Sequence, residues 1–448
     1  MNELQQMDQL FDRLFPLFRS ITGEGVRQTL GILGEYLPLT VEEVPTGTEV
    51  FDWTIPKEWV IREAWIKDSE GREIINIKNS NLHVLNYSEP IDRIVSLSEL
   101  KEHVFTIPHL PDAVPYVISY YKERWGFCMS YDQLTTLEEG QYHVYIDSEK
   151  IDGVLNYAES ILPGKSTKEV LITSYICHPS MANNELSGPI VAAFLYNRLK
   201  NWEQREFTYR FVFHPETIGS IAYLAKYGQH LHENMYSGMV LTCLGGKETP
   251  LSYKMARNDK TPMNELVQFL VKHEKRKMTI RPFTPLHGSD ERQFCSPGFN
   301  LPMGQFSRMI YGNYAGYHNS LDTKETMTIE ALLQSVDELE EILQLQELNG
   351  YYHNLKPFGE PKLSKYDLYP DINSPLSWRG STTTLIDNRQ HLNQVLMILN
   401  YSDGEHSLVD IATKMQYPLS NYQVSIDKLK EVKLIDGPFC NKEGVAWR

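Results

Sequence analysis

Five short stretches hold the residue types from which a hydrolytic site could be built. In "VLITSYICHPSMANNELSGPIVAAFL" (170–195) an apolar run ends in Cys177-His178-Pro179, and Asn184, Glu185 and Ser187-Gly188 follow. In "YRFVFHPETIGS" the apolar run ends in His214-Pro215-Glu216, and "SGMVLTCLGG" carries Cys243. "HGSDERQF" contributes Asp290, and "GYHNSLDT" contributes Tyr317, His318 and Asp322. Imidazole nitrogen, thiolate sulfur and carboxylate oxygen are the donors zinc accepts, and a carboxylate beside a metal-bound water can act as general base. Each residue alone has a plainer reading. A strand-end histidine is commonly a hydrogen-bonded structural residue, Glu216 suits the first turn of a helix, and Cys243 suits a buried small apolar position. His318 could be held by Asp322, and the loop tyrosines Tyr311, Tyr314 and Tyr317 could serve a domain contact or a pocket wall. The order of the set is what points to a metal site.

Those residues need elements to position them. From Lys168 onward, strand-like runs alternate with helical ones: "EVLITSYI", "GPIVAAFLYNRLKNW", "YRFVFHP", "TIGSIAYLAKYGQHL", "SGMVLTCLGG", "TPMNELVQFLVKHEKRKM", "LPMGQFSRM" and "TIEALLQSVDELEEILQLQEL". That alternation predicts an α/β sheet with helices on both faces, and in such sheets ligands gather at the carboxyl ends of strands. His178, Glu216 and Cys243 all fall there. Leu4–Phe18 and 24–36 have helical apolar spacing. From residue 46 the texture turns to Trp, Ile, Val and Tyr broken by turn residues, which predicts a β-rich segment. "LKPFGEPKLSKYDLYPDINSPLSWRG" is a Pro-rich linker, and beyond it three short helices and a strand pair are compatible with a winged helix.

The chain has 448 residues and a formal net charge of -15, which predicts more than one domain and opposes a nucleic-acid or anionic-membrane partner. No basic cluster marks the third C-terminal helix, so docking or dimerisation is the expected use of that module, and a homo-oligomer is an open expectation. The five cysteines are scattered without a CxxC. With no signal-peptide pattern and no apolar run long enough to span a bilayer, the expectation is a cytoplasmic protein.

In order along the chain, "HP…MANNELSG", "FHPETIGS", "MVLTCLGG", "SDERQFCSPGFNLPMG" and "YHNSLDT" resemble the zinc-dependent aminopeptidases of phosphorylase/hydrolase-like fold. The layout further resembles bacterial aminopeptidase-like proteins with a nested domain and a C-terminal winged helix, some of them assigned to polysaccharide biosynthesis. The resemblance implies a three-layer α/β sandwich at residues 1–45 and 161–360, an inserted β-rich domain at 46–160, a linker at 361–384 and a winged-helix-like domain at 385–448. It implies His178 and His318 as metal ligands, with others from Asn184, Glu185 and Cys243. It makes Glu216 the general base and puts Asp290 and Tyr317 near the substrate, although Asp290 could equally be a helix N-cap. Asn184, Thr217 and Cys243 stand where that family places carboxylates, so one zinc ion is expected rather than two. The implied activity is cleavage of an amide next to a free amine, in a small peptide or other amine-bearing substrate. The alternative is a weakened scaffold that binds an amino sugar, a peptide or a partner protein.

Overall fold

The apolar run before Cys177 forms a strand, Glu169–Tyr175, whose seven residues are all buried. A strand covered on both faces reads as a continuous apolar run rather than as an alternation. The computed structural model describes residues 2–246, 248–369 and 388–442, and it divides into two compact units, Met1–Asn258 with Thr279–Glu340 and Asp259–Met278 with Glu341–Arg448.

The first unit is built on an eight-stranded sheet. In chain order its strands are β1 (Thr40–Pro45), β2 (Val154–Leu162), β3 (Glu169–Tyr175), β4 (Thr208–His214), β5 (Met235–Leu241), β6 (Ser252–Lys254), β7 (Thr279–Arg281) and β8 (Met303–Ser307). Their spatial order is β1-β2-β4-β3-β5-β8-β6-β7. The four central strands β4, β3, β5 and β8 are parallel. Their carboxyl ends therefore open on one side, and His178, Glu216 and Cys243 leave the sheet together there. Toward the edges β1 runs antiparallel to β2, β2 to β4 and β6 to β8, while β7 runs parallel to β6. The two shortest strands, β6 and β7, have three residues each, too few for a period-2 pattern to register in the sequence.

Helix α1 (Glu3–Leu14) starts with a capping box on Asn2 and Gln5 and stops before Pro16, short of the Leu4–Phe18 span expected. α2 (Glu24–Leu33) follows. α3 (Ser187–Lys200) is entered through a π-helical turn, Ala182–Leu186. A Cβ at Gly188 would strike the Ser174 hydroxyl and the Leu241 carbonyl, so only glycine lets α3 lie this close to β3 and β5. α4 (Ile218–Asn234) leaves the end of β4.

Between β1 and β2 the chain makes a separate four-stranded antiparallel sheet, ordered Glu73–Asn76, Glu58–Asp68, Gln141–Ile151, Ile91–Ser96. Along Gln141–Ile151, Tyr142, Val144, Ile146 and Ser148 are buried in alternation, the mark of a sheet with one covered face. Val154–Leu162, read in sequence with the β-rich segment, is instead the second strand of the large sheet. Strand texture reveals a strand but not its partner, because pairing is non-local.

The second unit holds helices Asn388–Tyr401, Leu408–Met415 and Gln423–Glu431 with a three-stranded sheet of Asp403–Ser407, Tyr351–Asn354 and Ile435–Phe439. Its middle strand, Tyr351–Asn354, precedes the expected linker. Helix Pro262–Lys272 groups with this unit rather than with the large sheet. Of the linker expected at 361–384, residues 370–384 lie outside the described ones; before them Leu363–Tyr366 makes one tight turn.

Candidate active site

His178 follows the fully buried β3 by three residues and is itself buried. Its Nδ1 lies 2.9 Å from Oε2 of Glu185, in the π-helical turn that leads into α3. A carboxylate only accepts, so Nδ1 carries the proton and Nε2 faces the other way. Nε2 lies 3.7 Å from Glu216 Oε2. Burial works against a charged His178, but Cys177 and then Glu185 outweigh it and raise its pKa well above the ordinary value. Behind this pair lies Arg19, fully buried, whose Nε is 3.6 Å from Glu185 Oε1 and donates at 2.8 Å to the His178 carbonyl. Glu185, expected as a ligand, is thus engaged with His178 Nδ1 and a guanidinium. Cys177, His178 and Glu185 form a tight donor cluster among the described residues, but a dication on its Nδ1 side would meet Arg19 and a thiol whose pKa burial pushes up to about 11.

Glu216 leaves the end of β4, and its N–H donates to Cys177 Sγ at 3.3 Å. The next residue, Thr217, is held at φ 64°, ψ -74°, a conformation a β-branched residue rarely adopts. The Ile218 N–H closes a three-residue turn onto the Glu216 carbonyl at 2.8 Å. Ser289 Oγ donates to Glu216 Oε1 at 2.7 Å. Asp290, expected against a substrate amine or as an N-cap, stands at the N-cap position of the short helix Glu291–Phe294, but its side chain does not cap that helix. Its Oδ1 accepts from the Thr217 N–H and from Ser220 Oγ, both at 2.8 Å, and it is only 1% exposed. The Ser289-Asp290 pair therefore clamps the turn that carries Glu216. Burial raises the pKa of both Glu216 and Asp290.

Asn184 sits where the resemblance expects a bridging carboxylate. Its Nδ2 donates to Tyr175 Oη at 3.1 Å and lies 3.9 Å from Cys243 Sγ, while its buried Oδ1 meets no donor. Burial pushes the Cys243 thiol up to about 12. His318, at φ 56°, has its ring 5.4 Å from the His178 ring and stacked on Tyr317 at 4.0 Å. Burial, then the charge of His178, lowers its pKa to about 3, so its lone pair stays available. Asp322 does not hold His318; it accepts the backbone N–H groups of Asn183 and Asn184 at 2.7 and 2.9 Å and so fixes the π-helical turn.

His178, Glu216 and His318 line one cavity of about 370 Å³ with Cys177 and Thr217. Its other wall comes from the inserted segment: Asp52, Trp53, Tyr116, Tyr120 and Tyr121. The Tyr116 ring lies 5.1 Å from His178 and 5.6 Å from His318. Sequence reasoning missed these residues and Arg19 and Ser289. The "VPYVISYY" run was visible, but nothing local says that it folds back on His178.

The donors suit one divalent ion better than two. His178 is oriented through Nδ1 by a carboxylate, the arrangement that orients metal-bound histidines, and an Nε2 that attracts a proton also attracts a cation. His318 is held neutral, and Asn184 Oδ1 is a buried acceptor without a donor. A second ion would need the anionic bridge that Asn184, Thr217 and Cys243 do not supply.

Comparison with known proteins agrees with this architecture. Residues 8–349 match the model of a domain of unknown function, DUF4910, and residues 350–437 match a winged helix-turn-helix model. A Clostridium acetobutylicum protein described as a polysaccharide biosynthesis protein with an aminopeptidase-like domain is 39% identical over 426 residues, 95% of each chain. A crystal structure from Clostridium acetobutylicum, described as a peptidase, matches with TM-score 0.84 and 37% identity over 97% of both chains. A zinc aminopeptidase from Bacillus subtilis shares the fold at TM-score 0.56 and 12% identity, covering 76% of this chain and 93% of that one. No helix among the described residues is long and apolar enough to cross a membrane. The match over residues 8–349 shows that the chain belongs to the DUF4910 family, here followed by a winged helix-turn-helix, and its fold is that of the aminopeptidases.

Proposed function

We propose that this protein is a zinc-dependent hydrolase of the aminopeptidase type, with one metal ion, that cleaves an amide next to a free amine. The observation that carries the reading is His178: its Nδ1 is fixed by Glu185, and its Nε2 faces Glu216 in the cavity that His318 also lines. His178 and His318 would hold the ion, with Asn184 Oδ1 as third donor. Bound zinc supplies a polarised carbonyl and an acidified water. Glu216 is the proton carrier. Ser289 holds its Oε1, which leaves Oε2 to take a proton and return it to the departing amine. The raised pKa of Glu216, caused by burial, suits a group that must both accept and release a proton near neutrality. Trp53, Tyr116, Tyr120 and Tyr121 with Asp52 make an aromatic and acidic wall suited to an ammonium group. The volume suits a small substrate.

A second reading is favoured by Asn184, Thr217 and Cys243: three carboxylates of the resembled site are gone, as in a scaffold that binds without cleaving. Elemental analysis of the protein and of His178→Ala and His318→Ala, with a screen of aminoacyl amides using Glu216→Gln as control, separates the two. About one zinc per chain, lost in both histidine variants, together with turnover abolished by Glu216→Gln, is the expected result. No zinc after zinc is supplied would overturn the hydrolase reading.

A further inference from the structure

We infer that Arg281, Gln305 and Tyr311 form a binding site for an anionic group, a carboxylate or a phosphate, beside the catalytic histidines. Arg281 ends β7, and Gln305 and Ser307 lie on β8. Both Arg281 and Gln305 are register partners of Lys254 on β6, which lies between them. The register puts two cations side by side on one sheet face. They differ in their partners. Lys254 is only 1% exposed, but its Nζ meets Glu291 Oε1 at 2.6 Å and the carbonyls of Thr284 and His287. Arg281 has no such counter-charge: among the described residues no carboxylate lies within 4 Å of its guanidinium.

Arg281 Nη2 donates to Gln305 Oε1 at 3.1 Å and to Ser307 Oγ at 2.8 Å, both neutral. Its Nε is buried and meets no acceptor. Gln305 is fully buried, and its Nε2 is equally without an acceptor. The Tyr311 hydroxyl is a hydrogen-bond neighbour of both side chains, and it is buried with no acceptor for its own proton. Arg281 Nε and Gln305 Nε2 therefore have at most the Tyr311 oxygen between them, and the Tyr311 O–H has no acceptor, beside a guanidinium with no carboxylate within 4 Å. Buried donors are ordinarily satisfied, and the half-buried Arg281 guanidinium is left with neutral partners alone. Burial lowers the pKa of Arg281, the cost that a bound anion would relieve. In a chain of net charge -15, a cation without a carboxylate partner is not explained by any shortage of carboxylates.

The cluster is joined to the catalytic residues by a run of rings. Tyr311 meets Tyr317 edge-on at 5.6 Å, and Tyr317 stacks on His318 at 4.0 Å. Tyr311 and His318 are both held at positive φ, 42° and 56°, and such strain gathers at ligand sites. That the anion is part of the substrate, at the end away from the amine, rests on the function proposed above. That the cluster binds an anion does not.

The test is titration calorimetry on full-length protein stripped of metal, at low ionic strength, with inorganic phosphate and, separately, succinate as probes. The wild type should bind at least one probe with a millimolar Kd, and Arg281→Met should bind it at least about tenfold more weakly, as expected for loss of charge-assisted hydrogen bonds. Binding of phosphate alone identifies a phosphoryl group, and binding of succinate a carboxylate. If Arg281→Met does not fold, Tyr311→Phe and Gln305→Leu decide by the same weakening. No binding of either probe by the wild type, or equal binding by the folded variants, overturns the inference. A KM for acid-bearing aminoacyl substrates that rises in Arg281→Met while kcat holds would assign the anion to the substrate. If no aminoacyl substrate is turned over, the hydrolase reading fails and the binding result still stands.

Discussion

Replacing Arg19 with methionine should destabilise the first unit far more than an ordinary surface change, because Arg19 is a buried charge that joins the N-terminal segment to His178. Its side chain is fully buried, as is that of Glu185, and the two lie 3.6 Å apart. Its Nε and Nη1 donate to the carbonyls of His178 and Leu14 at 2.8 and 2.6 Å. Arg19→Met fills similar volume but leaves the buried Glu185 carboxylate with His178 as its one remaining partner and its Oε1 facing no cation, which costs about 3 kcal/mol or more. With an unfolding entropy of about 2 cal/mol/K per residue, a unit of this size loses about 1.5 °C per kcal/mol, so the midpoint should fall by about 4.5 °C or more. Glu185→Gln should cost a similar amount, and the double variant little more than either single one, giving a coupling of about 2–3 kcal/mol. The assay is scanning calorimetry on the four metal-free proteins. A loss below about 1 kcal/mol in Arg19→Met, or strictly additive losses, would show that the buried pair does not hold the site together.

Other perturbations follow from the same geometry. Arg210 on β4 pairs with Glu159 on β2 and, at 2.8 Å, with Glu169 on β3; Arg210→Met should cost about 3–5 kcal/mol at neutral pH in urea unfolding. Burial opposes the Glu169 carboxylate, but Arg210 and then His230 outweigh it and hold its pKa below the ordinary 4.5. A depressed carboxylate stabilises the fold above its unfolded pKa and loses that contribution as pH falls through the folded one. The deficit of Arg210→Met should therefore shrink as pH drops below 4.5, and a deficit constant with pH would exclude the carboxylates as its cause. Gly188→Ala should cost about 1–3 kcal/mol or more, because the added methyl strikes Ser174 and Leu241; an unchanged midpoint would mean that α3 can lift from the sheet freely. Thr217→Gly should raise stability by about 1 kcal/mol by releasing the strained turn while lowering any Glu216-dependent turnover; a fall in stability would mean that the turn is not strained.

Much of the candidate site was legible because its residues sit on short local signals. Strand runs that stop at His178, Glu216 and Cys243 state both the element and the position of the side chain at its end. For parallel central strands those ends must open on one side. Ser187-Gly188 was legible for the same reason, since a helix that starts beside a strand needs a small residue where it touches. The buried β3 and the alternating strand 141–151 each carried their periodicity openly.

What lay beyond reach depends on contacts between distant residues. Arg19 lies 159 positions from the His178 carbonyl it binds, and neither sequence neighbourhood carries a trace of the other. Asp290 was readable as a substrate neighbour or as an N-cap, and neither reading named the Thr217 turn 73 positions away that its side chain clamps; a carboxylate's role is set by which donors reach it. The aromatic wall of Tyr116, Tyr120 and Trp53 belongs to a segment readable as strands but not as half of a cavity. Val154–Leu162 was readable as a strand but not as part of the large sheet. Residue type and period determine which elements form and which groups stand at their ends. The partners of those groups, and so their charge state and function, are decided when folding removes water and leaves each buried donor and acceptor to be satisfied by whatever the chain brings there.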